Sequence, residues 1–129
     1  MSIDAYILDR TGRQIYVAAM ITRDQAAQAC VAMLDEKFFK AFSEPARVAI
    51  FREVILLGEA DIAAISEKFP QDRSVISRHL QLLAEADILI ATKRGRQVFY
   101  SVNGTGISDR LEAILSSVRA LQPICCPTF

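Results

Sequence analysis

The sequence predicts a mainly α-helical fold with one β-hairpin, arranged as a winged helix-turn-helix. After residue 22, apolar residues recur at steps of three and four in segments separated by turn residues. Two of these helical segments, residues 61–69 and 73–86, are joined by a short turn that contains Pro70. Residues 88–102 then alternate β-branched and aromatic residues around a turn at Arg94-Gly95, which is typical of a hairpin. A helix-turn-helix followed by a basic hairpin indicates a winged helix.

The composition is that of a single soluble domain. The 129 residues carry 15 basic and 15 acidic side chains, and 52% of them are hydrophobic, which excludes disorder as the main state. No apolar run reaches about 18 residues and the first twenty residues are charged, so neither a membrane span nor a secretion signal is expected. We therefore expect a cytoplasmic protein. Three cysteines and one histidine exclude a disulfide framework and a zinc finger.

The first helix is predicted over residues 24–42. Thr22 before it and Gln25 in its first turn fit a capping box, and its apolar residues recur on one face. A break is expected near Asp35. The remaining residues before it, 1–21, form an N-terminal extension in which two Ile-, Tyr- and Val-rich runs flank a turn, and this predicts an extra hairpin.

The winged helix domain is predicted to cover residues 22–129. Its second helix should begin after a Ser43 cap, with Pro45 in its first turn, and end at Gly58. Because most of that run is apolar, we expect a buried central helix.

Two further caps are expected later in the chain. Asp72 should cap the helix over 73–86, and Ser108 should cap a last helix that Pro123 ends. A cysteine tail follows that last helix. The domain therefore closes with a helix and two adjacent thiols.

One face of the helix over 73–86 carries short polar and basic side chains, whereas its apolar residues share the other face. A helix that enters the major groove needs such polar side chains in its N-terminal half. The hairpin adds basic residues at a tip that can touch a phosphate or the minor groove. The candidate DNA-contacting residues are Gln71, Arg73, Ser74, Ser77, Arg78, His79, Lys93, Arg94 and Arg96. The alternative for each is a solvated helix face or a charged turn.

Three motifs, in this order, resemble the ArsR/SmtB family of bacterial repressors. Residues 39–50 (FKAFSEPARVAI) resemble the family's S-[DE]-P-x-R helix opening, residues 72–83 (DRSVISRHLQLL) its recognition helix, and residues 94–100 (RGRQVFY) its wing. The resemblance covers residues 38–103. It implies a homodimer that joins through its first and last helices, binds two-fold symmetric double-stranded operator DNA, and leaves it when a metal ion, metalloid or oxidant reacts. Asp87 replaces the usual glycine, and aspartate tolerates the left-handed conformation that ends a helix.

The sequence contains only some of the ligand residues of the inducer sites that the resemblance implies. Residues 59–65 contain no thiol, and residues 108–122 contain no histidine. The remaining candidate ligands are the thiols of Cys125, Cys126 and Cys30. Thiolates favour soft ions, so the predicted inducer is trivalent arsenic or antimony, inorganic or methylated, without any organic cofactor. In a dimer, Cys30 of one subunit would supply the third sulfur to the pair of the other.

Other interpretations of the same residues stay open. Cys30 lies on an apolar face and is also explained as a packed core thiol. Cys125 and Cys126 can instead oxidise to a disulfide or persulfide, which predicts a redox- or sulfide-responsive repressor. A winged helix used only for protein contacts is a third possibility. An enzyme is not expected, because the sequence has no nucleophile paired with its one histidine and no glycine-rich phosphate loop.

Overall fold

The structure, a computed structural model, describes residues 6–8, 11, 14–16, 22–34 and 36–125. Its elements are β1 (Tyr6–Leu8), β2 (Gln14–Tyr16), α1 (Arg23–Ala32), α2 (Glu36–Phe42), α3 (Pro45–Leu57), β3 (Glu59–Asp61), α4 (Ile62–Ser66), α5 (Arg73–Glu85), β4 (Leu89–Arg94), β5 (Gln97–Val102) and α6 (Gly104–Cys125). The predicted fold class, mainly α-helical with a hairpin wing, is confirmed. The chain divides into two compact units, Met1–Leu34 with Ser108–Phe129 and Asp35–Ile107. Among the described helices, none is long and apolar enough to cross a membrane.

The unit Asp35–Ile107 is built around α5, which packs against α2, α3, α4 and β4. Val75 and Leu82 of the predicted apolar stripe are 39% and 38% exposed, whereas Ile76, Leu80 and Leu83 are fully buried at steps of four and three. Each such side chain contributes about 1.5–3 kcal/mol when it leaves water. The other large buried residues of this unit are Phe38, Ile50, Val54, Ile65, Ile88 and Leu89.

The helix α3 is buried on one side only. Ile50 and Val54 lie in the core, whereas Val48, Ile55 and Leu56 are 43%, 53% and 62% exposed. The expectation of a fully buried central helix is therefore wrong for the single chain. A run of apolar residues indicates burial, but it does not say how many sides of a helix are covered.

The wing contains three strands in the order β3-β5-β4, all antiparallel to their neighbours. The sequence predicted β4 and β5 but not β3. Arg94 pairs with Gln97, so the two turn residues are Gly95 and Arg96 rather than Arg94 and Gly95. Gly95 has a φ of 65°, a left-handed conformation that suits glycine at the first position of a two-residue hairpin turn.

Two predicted caps differ in detail. The N-cap position of α3 is occupied by Glu44, whose side chain makes no capping hydrogen bond, and the Ser43 hydroxyl donates to the Lys40 carbonyl oxygen at 2.7 Å. Asp72 does stand at the N-cap of α5, but its side chain makes no capping hydrogen bond. In contrast, Asp61 caps α4, because its Oδ1 accepts the Ala64 N–H at 3.0 Å. The connection between α4 and α5 is six residues long, 67–72, and thus longer than predicted.

The unit Met1–Leu34 with Ser108–Phe129 contains the pair β1 and β2, in which Ile7 lies opposite Ile15. The capping box of α1 is confirmed, with Thr22 Oγ1 accepting the Gln25 N–H at 3.1 Å and Gln25 Oε1 accepting the Thr22 N–H at 3.0 Å. The helix ends at Ala32, close to the predicted break.

The last helix is longer than predicted at both ends. It begins at Gly104 rather than after Ser108, and Asn103 Oδ1 accepts the Gly106 N–H at 3.1 Å. A Cβ at Gly106 would come within 2.3 Å of the Asn103 side-chain nitrogen, so a larger residue there would displace the Asn103 side chain from its hydrogen bonds. The helix also continues through Pro123 to Cys125, although proline removes one internal hydrogen bond. Cys125 therefore belongs to the helix rather than to an irregular cysteine tail, and Cys126 lies outside the described residues.

Candidate nucleic-acid interface

The first half of α5 presents polar and basic side chains at the surface. Arg73, Ser74, Ser77 and Arg78 are exposed, while His79 is half-buried. Because the buried stripe holds the opposite face of α5 in the core, the four exposed side chains share one surface of the helix, and His79 lies beside its edge. Such a surface has the residue types that contact phosphates and base edges.

The tip of the hairpin lies beside that surface. A groove of about 350 Å³ is lined by Arg73 and Ser77 of α5 together with Arg96 of the turn. Asp61 at the start of α4 and Tyr100 of β5 also line it, and burial raises the pKa of Tyr100. The structure thus brings together side chains that lie some twenty positions apart in the sequence.

Two other basic candidates of the wing differ in their surroundings. Lys93 is exposed on β4, whereas Arg94 forms an ion pair with Glu59 of β3. The Arg94 guanidinium carbon also lies 5.1 Å from the centre of the Phe99 ring, within the range of a cation–π contact. Arg94 therefore helps to hold the wing sheet together. β3, which the sequence did not reveal, supplies its acidic partner.

Gln71, in the turn before α5, is only half-exposed. Its Oε1 atom is buried and has no hydrogen-bond partner among the residues that the structure describes. The last residue of α4 contains a similar buried atom, Ser66 Oγ. Of the predicted DNA contacts, Gln71 is therefore the one whose side chain is turned inward.

His79 contacts a residue that sequence reasoning assigned no role. Its Nδ1 lies 3.4 Å from Nη1 of Arg47, in the first turn of α3. The pKa of His79 is lowered, first by burial and then by the positive charge of Arg47, with Arg78 acting in the same direction and Glu44 against it. His79 is thus neutral near pH 7. The S-E-P-A-R motif contains Arg47, but its spacing to His79 in sequence gave no sign of the contact.

The candidate thiols belong to the other unit. Cys125 is exposed at the end of α6, and Cys30 is half-buried on α1. Arg23, the first residue of α1, donates from Nη2 to the Ile124 carbonyl oxygen at 2.9 Å, so the start of α1 meets the end of α6. Cys30 lies seven residues, or about 10 Å, further along α1. The described residues contain no group of three or more metal-ligating side chains.

Comparisons with known proteins identify the class to which this site belongs. No family model matches the chain. The transcriptional repressor SdpR of Bacillus subtilis is 30% identical over 80 residues, which cover 62% of this chain and 88% of that protein. An uncharacterised helix-turn-helix transcriptional regulator of Methanocaldococcus jannaschii is 31% identical over 85 residues, 66% of this chain and 91% of that one. An arsenical resistance operon repressor of Bacillus subtilis is 25% identical over 91 residues, 70% of this chain and 78% of that one.

Solved structures of similar fold agree with these relatives. An ArsR family transcriptional regulator superposes with a TM-score of 0.58 at 19% identity, over 73% of this chain and 94% of that one. A possible transcriptional regulator for arsenical resistance superposes with a TM-score of 0.54 at 26% identity, over 74% of this chain and 99% of that one. The fold and its relatives define a winged-helix transcriptional regulator and not an enzyme. The chain belongs to the ArsR/SmtB family, as the three motifs predicted.

Proposed function

We propose that this protein represses transcription by binding double-stranded operator DNA as a homodimer. In this proposal the exposed half of α5 enters the major groove, and the tip of the β4–β5 hairpin reaches a neighbouring phosphate or the minor groove. The observation that carries it is the groove shared by Arg73 and Ser77 of α5 with Arg96 of the turn. Repressor relatives of the chain support the same role.

The proposed dimer is supported by apolar side chains that a single chain leaves in water. On α6, Leu111, Leu115 and Val118 are 50%, 46% and 39% exposed, at steps of four and three. On α1, Val31 is 66% exposed. Rows of exposed apolar residues on a helix are typical of an interface. A second copy of the chain, joined through α1 and α6, would cover the row on α6 and Val31 on α1.

DNA binding is tested by removing the charges of α5. We expect Arg73→Gln/Arg78→Gln to weaken binding to an operator fragment and to lower the slope of log affinity against log salt by about two, since two phosphate-neutralising charges are lost. Arg52→Gln is the matched control, because Arg52 is exposed on α3, which turns its buried residues toward α5. Fluorescence anisotropy at several salt concentrations measures both quantities. Equal losses in the two proteins would reject the proposed surface.

For the inducer, we propose trivalent arsenic or antimony bound by the thiolates of Cys125 and Cys126, with Cys30 of the partner subunit as third ligand. Three sulfurs suit these soft ions. The exposure of Cys125 and the arsenical repressor relative support this proposal. The contact between Arg23 and Ile124 puts Cys125 at the far end of α1 from Cys30 of the same chain, so the third sulfur is assigned to the other subunit. Binding of the ion at these thiolates would alter the contact between the two subunits, and with it the distance between their two α5 helices.

The ligand set is tested with the reduced protein and arsenite in equilibrium dialysis. We expect Cys125→Ser and Cys126→Ser each to abolish binding, and Cys30→Ser to weaken it and to leave affinity for a monomethyl arsenical, which needs two sulfurs, unchanged. Unchanged arsenite binding by Cys125→Ser/Cys126→Ser would reject the proposed site. Release of DNA by peroxide alone would favour the oxidation of the pair instead.

A further inference from the structure

One guanidinium joins three helices of the unit Asp35–Ile107. Arg47 of α3 donates from Nε to the Ala41 carbonyl oxygen at 3.0 Å and from Nη2 to the Lys40 carbonyl oxygen at 2.9 Å. These carbonyls belong to the last turn of α2, and the Lys40 carbonyl oxygen also accepts the Ser43 N–H at 3.2 Å and the Ser43 hydroxyl at 2.7 Å. The third contact, from Nη1, reaches Nδ1 of His79 on α5 at 3.4 Å. The two carbonyls hold the guanidinium in a fixed orientation toward His79.

The chemistry of this contact fixes the proton on the imidazole ring. A guanidinium has five N–H donors and no acceptor, so Nδ1 of His79 takes part in the hydrogen bond only through its lone pair. The ring is then neutral and carries its proton on Nε2. The surrounding charges also favour the neutral ring. Arg47 on α3 and Arg78 on α5 disfavour the protonated ring, and Glu44 favours it.

The other edge of the ring, at Nε2 of His79, makes no hydrogen bond within the part of the chain that the structure describes. Because the two nitrogens lie on opposite edges of the imidazole, Nε2–H is directed away from Arg47. His79 is half-buried and lies about 100° around α5 from the exposed Arg78, so its ring stands at the edge of the candidate DNA-binding surface.

We propose that Arg47 is a positioning residue for DNA recognition: it holds His79 as the neutral Nε2–H tautomer, which donates one uncharged hydrogen bond to an acceptor atom of the operator. The proposal rests on the DNA binding proposed above. The acceptor is a phosphate oxygen or a base atom such as guanine N7 or O6. An uncharged donor releases no counterion from DNA, so this contact contributes to affinity without contributing to its salt dependence.

The tautomer is measured without DNA. Because His79 is the single histidine, long-range proton–nitrogen NMR on protein lacking a histidine tag reports this ring alone. We expect the Nε2–H tautomer near pH 7.5 in the wild type and a mixture of tautomers in Arg47→Met. A wild-type ring with its proton on Nδ1, or a ring unaffected by Arg47→Met, would overturn the proposal.

The contact with DNA is tested by two substitutions that retain different edges of the ring. The amide nitrogen of glutamine reaches the position of Nε2, whereas the shorter asparagine reaches only that of Nδ1. We expect His79→Gln to keep operator affinity within about threefold, and His79→Asn and Arg47→Met each to lose about tenfold, the value of one good hydrogen bond. The double variant Arg47→Met/His79→Asn should be no weaker than either single variant, because both remove the same contact.

The salt dependence separates this contact from its charged neighbour. His79→Asn should leave the slope of log affinity against log salt unchanged, while Arg78→Gln lowers it by about one. Arg47→Lys keeps the charge but not the fork of N–H groups, and we expect it to behave as Arg47→Met. Additive losses, or full affinity in Arg47→Lys, would show that Arg47 acts only on stability and overturn the proposal. If the wild type shows no salt-dependent binding to DNA, the proposed function is rejected. The NMR measurement of the His79 tautomer does not depend on that result, because it is made without DNA.

Discussion

At the scale of single residues, His79 links the packing of the helices to the protonation of the protein. Burial, Arg47 and Arg78 lower its pKa, so the folded chain favours the neutral ring. The unfolded chain has no such preference. Proton binding to this one residue is therefore coupled to folding.

We expect the free energy of unfolding to fall as the pH is lowered from about 6.5 toward the lowered pKa of folded His79. In that range the unfolded chain binds the proton and the folded chain does not, so protons favour unfolding. Above about pH 6.5 both states are neutral at this residue and its contribution is constant. Urea unfolding at several pH values checks this against His79→Gln, in which the pH dependence of this residue is absent. A wild type that gains stability relative to His79→Gln on acidification would contradict the lowered pKa.

The contacts of Arg47 could not be predicted from the sequence. The motif that contains it was visible, yet its partners Lys40, Ala41 and His79 are brought together only by the packing of α2, α3 and α5. The candidates on α5 could be named in advance because one helix, with known periodicity, places them. Contacts between helices have no such rule.

At the scale of elements, local patterns predicted those elements that local interactions determine. The capping box of α1 and the stripe of Ile76, Leu80 and Leu83 depend on spacings of three and four, and both are confirmed. The three-residue strand β3 is too short to show periodicity and exists through its pairing with β5. The extension of α6 past Pro123 was also missed, because proline near the end of a helix removes only one hydrogen bond.

The caps of α4 and α5 offer a matched comparison. We expect Asp61→Ala to lower the free energy of unfolding by about 1 kcal/mol, because its Oδ1 accepts the Ala64 N–H and its Oδ2 accepts from Gln97 Nε2 at 3.2 Å. Asp72→Ala should change it by no more than about 0.5 kcal/mol, since Asp72 makes no side-chain cap. Chemical denaturation of the two variants measures the difference. A loss in Asp72→Ala as large as that in Asp61→Ala would show that the cap geometry does not determine these helix starts.

At the scale of the whole molecule, a net charge of zero conceals an uneven distribution. Residues 73–100 carry five basic and two acidic side chains, whereas residues 1–72 carry eight basic and eleven acidic. The basic excess thus coincides with α5 and the hairpin. Local positive charge favours approach to DNA even when the total charge is zero.

The exposed apolar row on α6 and Val31 on α1 predict the oligomeric state. We expect Leu115→Glu to convert the dimer into monomers, because a buried carboxylate at an apolar interface is costly. Ile90→Glu is the matched control, since Ile90 is also 46% exposed but lies on β4. Sedimentation velocity distinguishes the two states. A dimer that survives Leu115→Glu, or is lost equally in Ile90→Glu, would place the interface elsewhere.

The most direct test of the proposed regulator is the release of operator DNA by arsenite. Fluorescence anisotropy of a palindromic fragment from upstream of the gene follows reduced wild-type protein and Cys125→Ser/Cys126→Ser in parallel. We predict that both proteins bind the fragment equally without arsenite, and that arsenite lowers the affinity of the wild type at least about tenfold, the scale of an allosteric coupling of 1–3 kcal/mol. The affinity of the double variant should not change. Release of DNA from the double variant by arsenite would contradict the account.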